Sequence, residues 1–247
     1  MITVYQYPRL LGIPNMSPFC LKLEAWLRMV GIKYDIREVA DPRKGPKGKL
    51  PFIRDGELEL ADTSLIIDYL KKQHSIQIDD HLSPSDRAVA LAFERMLDEH
   101  LYWALLYNRW VDDNWAKTKE AFFSTLPAVL RGIVPVVAQK NIKSELDGHG
   151  MGRHSREEIY EFANQDLKAI SDFLADKPYL MGDKPSTVDA TLYAFLCNIL
   201  EVHLRSPMKD YLHKCKNLMA YNERVGQQLF PDFFKQDESD EAWLTEH

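Results

Sequence analysis

Three short segments carry residue types that could hold an anion and act on sulfur: Ser17-Pro18-Phe19-Cys20, Lys49-Leu50-Pro51 and Asp62-Thr63. The first follows a strand-like pattern, Ile2-Thr3-Val4-Tyr5. It opens an amphipathic run with apolar residues at Phe19, Leu23, Trp26, Leu27 and Val30. Ser17 therefore falls at a helix N-terminus, where unpaired backbone N–H groups and the positive end of the helix dipole favour an anion such as a thiolate. Its hydroxyl can donate a hydrogen bond to sulfur, or it can serve only as the N-cap, a position serine favours. Cys20 competes for the chemical role. With serine at the first position of S-P-F-C, however, the attacking thiol of a dithiol exchange is missing, and a thiol reductase would require Cys20 itself to react. Free cysteine inside a helix is more often a packed small residue.

The elements that must position these groups divide the chain in two. Residues 1–78 alternate strand and helix patterns, which points to βαβ units around a small mixed sheet. Lys33 to Val39 reads as the second strand. Leu50 to Arg54 and Glu57 to Leu60 flank Asp55-Gly56, a dipeptide suited to a tight hairpin turn. Thr63 to Lys72 closes this part as a helix. Periodicity fades from Ser75 to Ser83, and residues 79–83 form the expected linker to a second domain, residues 84–247, in which no strand pattern is convincing. Ser83-Pro84-Ser85-Asp86 starts a helix expected to run to about Val111. A further helical stretch from about Trp115 contains Pro127 and Pro135, which should kink or break it. Ser155-Arg156-Glu157-Glu158 and Ser186-Thr187-Val188-Asp189 are capping-box patterns.

Composition narrows the classes. The 247 residues are 45% apolar, which describes a globular protein; only the acidic tail from about Gln236 reads as disordered. The formal charge of −6, from 31 basic and 37 acidic residues, argues against nucleic acid as the default partner. The run Arg43-Lys44-Gly45-Pro46-Lys47-Gly48-Lys49 is basic all the same, either as a solvated loop or as a rim that attracts an anionic peptide. Cys20, Cys197 and Cys215 are too few for a disulfide framework and lack metal-ligand spacing. His149 and His154 flank a glycine-rich turn without a third ligand nearby, so no metal is expected. The chain opens on a strand-like pattern without a charged-then-apolar leader and has no apolar stretch of membrane-spanning length. These features predict a soluble protein of the cytoplasm.

The order strand, S-P-F-C loop, helix, strand, K-L-P-F-I, strand, A-D-T-S-L-I-I-D-Y-L resembles the thioredoxin-like N-terminal domain of the glutathione S-transferase superfamily. Tyr179-Leu180-Met181-Gly182-Asp183-Lys184-Pro185-Ser186-Thr187-Val188-Asp189-Ala190 is similar to the segment that opens a core helix of that family's all-helical C-terminal domain. Glu99-His100-Leu101-Tyr102-Trp103-Ala104 and Gly148-His149-Gly150-Met151-Gly152-Arg153-His154-Ser155 resemble the failed-axon-connections and metaxin-like branch. The resemblance implies an α/β thioredoxin-like domain followed by an all-α domain, a homodimer, and glutathione as co-substrate. It implies Ser17 as the hydrogen-bond donor to the glutathione sulfur, with Tyr7 as a secondary candidate. Leu50 and Pro51 correspond to the family's cis-proline element, and Asp62-Thr63 to the pair that receives the γ-glutamyl group, where the usual pattern is Glu-Ser. Asp62 could instead only cap the following helix.

The electrophile pocket is expected between the domains, against the first long helix of the second, where His100, Trp103 and Tyr107 share a face by their spacing. Such an aromatic stripe can equally be core. Two functions remain open: an enzyme that adds the glutathione thiolate to a small apolar electrophile, and a transferase fold kept as a binding or adaptor module. The first is the leading reading and the second its alternative, to which the changed Asp62-Thr63 pair and the long Pro8–Met16 loop lend some support. Fold alone does not choose between them.

Overall fold

The computed structural model describes residues 1–233. The acidic tail expected from Gln236 lies outside the described residues. The N-terminal part runs β1 (Ile2–Gln6), α1 (Pro18–Val30), β2 (Tyr34–Glu38), β3 (Phe52–Asp55), β4 (Leu58–Ala61) and α2 (Thr63–His74). The four strands form one sheet in the order β2-β1-β3-β4. β1 and β2 are parallel, as strands joined by a crossover helix must be, with Val4 opposite Ile36. β3 runs antiparallel to both β1 and β4, and the β3–β4 hairpin turns at Gly56, beside Asp55 as its dipeptide predicts. This is the expected thioredoxin-like arrangement.

α1 starts at Pro18 and stops at Gly31, which takes the left-handed conformation (φ 72°) that closes a helix. It is buried on nearly every side because it is sandwiched between the sheet and the helical domain. Two charged residues go inside with it, and each is paired. Lys22, fully buried, donates to Glu94 Oε1 and Asp98 Oδ2, both at 2.7 Å. Glu24 accepts from Gln6, Arg28 and Tyr34. Burial without such partners would be strongly unfavourable. The Pro8–Met16 loop is packed rather than loose: Ile13 and Met16 are buried. Gly12 combines a positive φ with a Cβ direction that points 3.0 Å from the His203 ring, which no other residue fits well.

The rest of the described chain is helical: α3 (Pro84–Met96), a π-helical segment (Leu97–Leu101), α4 (Tyr102–Trp110), α5 (Trp115–Phe123), α6 (Ala128–His149), α7 (Arg156–Leu174), α8 (Thr187–Leu200), α9 (Pro207–Leu212) and α10 (Lys216–Leu229). The helix expected from Ser83 to Val111 exists, but the π segment divides it. Pro127 marks the break between α5 and α6, whereas Pro135 lies inside α6. The Ser83/Asp86 and Ser155/Glu158 capping boxes both form. Asp189 does more than cap: it accepts from the Ser186 and Leu180 backbone N–H groups and from the Ser186 and Tyr221 hydroxyls. α8, buried along its whole length from Val188 to Leu200, is the core helix onto which α1 packs. Asp79, in the connection before α3, accepts from the Thr187 backbone N–H and hydroxyl at 2.7 Å each and from Lys71 at 2.6 Å. It thereby pins the two parts together at the N-terminus of α8.

Candidate functional site

The three segments singled out in the sequence meet along one groove between the sheet and the π-helical segment. A cavity of about 410 Å³ is bordered by Tyr7, Ser17, Leu50, Trp103 and Arg109, among others. A neighbouring recess of about 290 Å³ is bordered by Lys47, Pro51, Asp62, Thr63 and Arg95. Phe19, Lys49, Leu50, Asp98 and Glu99 border both, so the two are continuous.

Ser17 is the N-cap of α1. Its Oγ accepts the Cys20 backbone N–H at 3.3 Å. That bond uses a lone pair and leaves the hydroxyl proton free to turn to a sulfur, either the buried Cys20 thiol beside it or one in the cavity. The segment before it is fixed from both sides. Asn15 accepts the Ser17 N–H at 3.0 Å and donates to the Tyr7 carbonyl at 2.8 Å. Cys20 lies fully buried behind Ser17. Burial pushes its thiol up to about 12, against hydrogen bonds from Tyr7 and Ser17, so it is a protonated packing residue near neutral pH. Burial likewise raises the Tyr7 phenol, which stays a protonated donor at the cavity wall.

Leu50–Pro51 is a cis peptide, and it stands between the cavity and the recess. Asp62 caps α2: its Oδ1 accepts the Ser64 and Leu65 N–H groups at 3.1 and 3.2 Å. Its backbone sits at φ 84°, a conformation aspartate seldom adopts and one that structures tend to hold at functional positions. Oδ2 has no hydrogen-bond partner among the described residues. One carboxylate oxygen therefore serves the helix and the other is left over for a ligand amine. Lys47, Lys49 and Arg95 supply positive charge around the same recess. A tripeptide with two carboxylates and one ammonium matches this donor set.

The expected His100, Trp103 and Tyr107 stripe does not line the cavity as a unit. Trp103 borders the cavity and stacks on His149 at 4.4 Å, but His100 and Tyr107 are not among its lining residues. His100 Nδ1 lies 2.6 Å from Asp166 Oδ2, and Tyr107 makes an edge contact with Tyr160. His100 and Tyr107 both turn to α7, which carries their partners Asp166 and Tyr160, so that much of the stripe is a packing face between helices. In their place the wall presents Tyr102 and Arg109, two turns apart on α4, with Trp110 and Phe122 beyond them. None of these was singled out for the site in the sequence. The i, i+7 spacing of Tyr102 and Arg109 was the available signal. Burial pushes the Tyr102 phenol up to about 12, with Glu145 adding to this and Arg109 opposing it. Among the described residues no group of three or more His, Cys, Asp or Glu could hold a metal ion, and no helix is long and apolar enough to cross a membrane.

Comparison with known proteins agrees with this fold. The family model "Glutathione S-transferase N-terminal domain" matches residues 18–115, and "Glutathione S-transferase, C-terminal domain" matches residues 163–225. The isoprene-epoxide–glutathione S-transferase of Rhodococcus sp. (strain AD45) is 37% identical over 237 residues, covering 92% of this chain and 99% of that protein. Failed axon connections of Drosophila melanogaster is 35% identical over 94% of this chain, which spans 59% of that protein's length. Metaxin-1 of Macaca fascicularis is 26% identical over 89% of this chain and 72% of its own. Among solved structures, a glutathione S-transferase of Ceriporiopsis subvermispora in complex with glutathione superposes with a TM-score of 0.62 at 20% identity, covering 91% of this chain and 97% of that one. The chain belongs to the glutathione S-transferase family and is similar to its failed-axon-connections and metaxin-like branch.

Proposed function

We propose that this protein binds glutathione across the cavity and recess and adds its thiolate to a small apolar electrophile. The observation that carries this reading is that two capping residues along the groove keep binding capacity: the Ser17 hydroxyl proton can turn from the Cys20 thiol to a ligand sulfur, and Asp62 Oδ2 remains after its capping bonds are made. In the proposed pose the γ-glutamyl amine meets Asp62 Oδ2 beside Thr63. The cysteinyl backbone lies along Leu50 and Pro51, and the sulfur lies over the N-terminus of α1 within reach of Ser17. The thiolate is held by hydrogen bonding and by the helix dipole rather than by covalent attachment to the enzyme.

The 37% identical relative is named for an epoxide substrate, so epoxides are the first electrophile class to test. The thiolate would attack a ring carbon, the sulfur–carbon bond forming as the carbon–oxygen bond breaks. The resulting alkoxide would take a proton from the Tyr102 phenol, which is re-protonated from solvent. Apolar walls at Trp103, Trp110 and Phe122 suit a small hydrocarbon skeleton. We further propose a cytoplasmic homodimer with a glutathione-binding domain at 1–78, a linker at 79–83 and the helical domain at 84–247. The test is incubation of purified protein with glutathione and a small alkyl epoxide, with the thioether product read by mass spectrometry against an enzyme-free control.

A second reading, the adaptor module, is favoured by one observation: α6 exposes Val129, Ile133, Val136 and Val137 along one side. Folded protein that forms no thioether with any electrophile would select it.

A further inference from the structure

Arg109 is 5% exposed and borders the cavity, yet no carboxylate pairs with it among the described residues. Its guanidinium donates to three neutral oxygens. Nη1 reaches the Met16 carbonyl, and Nη2 reaches the Asn198 carbonyl at 2.9 Å and Asn198 Oδ1 at 2.8 Å. Nε–H has no partner among the described residues. A buried cation without an anion is strongly disfavoured unless something compensates it. The groups closest to it electrostatically are the Tyr102 phenol and the Cys197 thiol, both held protonated by burial. Burial draws the guanidinium itself down to about 10, so it remains charged near neutral pH. The carboxylates around the cavity are engaged elsewhere: Asp98 with Lys22 and Glu145 with Lys49. Glu99 borders the cavity too, and no ion pair joins it to Arg109 among the described residues. From the sheet side Tyr7 borders the same cavity, its phenol raised by burial and neutral.

The position of this charge is informative. Through the Met16 carbonyl it lies one residue from Ser17, where the proposed function puts the sulfur. We infer that Arg109 is the charge partner of the glutathione thiolate: it lowers the thiol's pKa through space from the helical wall, opposite the α1 N-terminus. This rests on the glutathione-binding reading. It adds a residue to the activation device, since a unit positive charge a few ångströms away in a partly dry site changes a thiol's ionisation by a pKa unit or more. The alternative is that Arg109 is only a strut, tying the Ser17 loop to α8 together with the Asn198 Nδ2 bond to the Asn15 carbonyl.

The experiment is a pH titration of the ultraviolet absorbance of thiolate in the glutathione complexes of wild type, Arg109→Gln and Arg109→Lys. Binding of S-methylglutathione to each is the control for an intact site. The expected result is that Arg109→Gln raises the bound thiol's pKa by about one unit or more, cutting the thiolate fraction near neutral pH several-fold, while Arg109→Lys stays close to wild type. Affinity for S-methylglutathione should stay unchanged. An unchanged thiol pKa in a folded Arg109→Gln that binds S-methylglutathione normally would overturn the inference and leave a strut. Absence of S-methylglutathione binding in wild type would instead sink the glutathione site itself, and the inference with it. Should Arg109→Gln fail to fold, the Arg109 Nε–H resonance of the wild-type glutathione complex decides. It should shift with the midpoint of the thiol and stay fixed with S-methylglutathione, and a signal that ignores the thiol's ionisation contradicts the inference.

Discussion

Replacing Ser17 by Ala separates the two jobs that its hydroxyl can do. The structure contains one of them, the N-cap bond from Cys20 N–H at 3.3 Å, whose loss costs typically about 1 kcal/mol of folding stability. In a chain of this length that lowers the midpoint of thermal unfolding by about 2–4 °C. The second job, a hydrogen bond to a charged sulfur, contributes about 1.5–3 kcal/mol, because hydrogen bonds to ionised partners are the stronger kind. At about 1.4 kcal/mol per factor of ten, its loss reduces kcat/KM by about ten- to a hundredfold. The assay pairs glutathione conjugation at fixed pH with thermal melts of the same samples, and Ser17→Thr serves as the variant that keeps a hydroxyl. The account expects both quantities to fall in Ser17→Ala and activity to be retained in large part in Ser17→Thr. A variant that melts lower by the capping amount yet turns over at the wild-type rate would refute the thiolate role and leave Ser17 a cap alone.

Two further outcomes follow from the buried charges and thiols. Burial raises the Asp79 carboxyl, but the hydrogen bonds from Lys71 and Thr187 outweigh it and hold the group below its ordinary 3.8. Its contribution is therefore present above the unfolded pKa and lost as pH falls through the folded one. Asp79→Ala should cost about 2 kcal/mol at neutral pH by denaturant unfolding, with the gap to wild type closing below about pH 4. A gap independent of pH contradicts the clasp. Iodoacetamide applied to native protein should label Cys215, which is partly exposed, and spare Cys20, whose buried thiol is pushed up to about 12. Rapid labelling of Cys20 would revive the thiol reductase reading.

What was legible in the sequence was what short stretches encode by themselves. Ser17 and Asp62 announce themselves because a cap is a local device: the hydroxyl or carboxylate and the N–H groups it binds lie within three residues. The same holds for the Asp55-Gly56 hairpin and for the Ser83 and Ser155 capping boxes. The helical wall was not legible in this way. Counting His100, Trp103 and Tyr107 onto one face cannot tell a cavity wall from a packing face, and His100 and Tyr107 pack on α7. Arg109 escaped for a different reason. Its significance is that it is buried without an acid, and that depends on α4 packing against the Met16 loop and α8, segments some 90 residues away in either direction. Lys22 makes the same point: its buried ammonium is paired only because α3 and the π segment bring Glu94 and Asp98 to it from more than 70 residues away.

The most direct test of the central claim is calorimetric titration of the purified protein with glutathione, repeated on Asp62→Ala. The account predicts a dissociation constant on the order of millimolar or tighter for wild type, about −4 kcal/mol or stronger. It predicts heat of binding lost in the variant, since the free Oδ2 of Asp62 is the counter-charge for the γ-glutamyl amine. No detectable binding to folded wild-type protein, or equal binding to the variant, would contradict it.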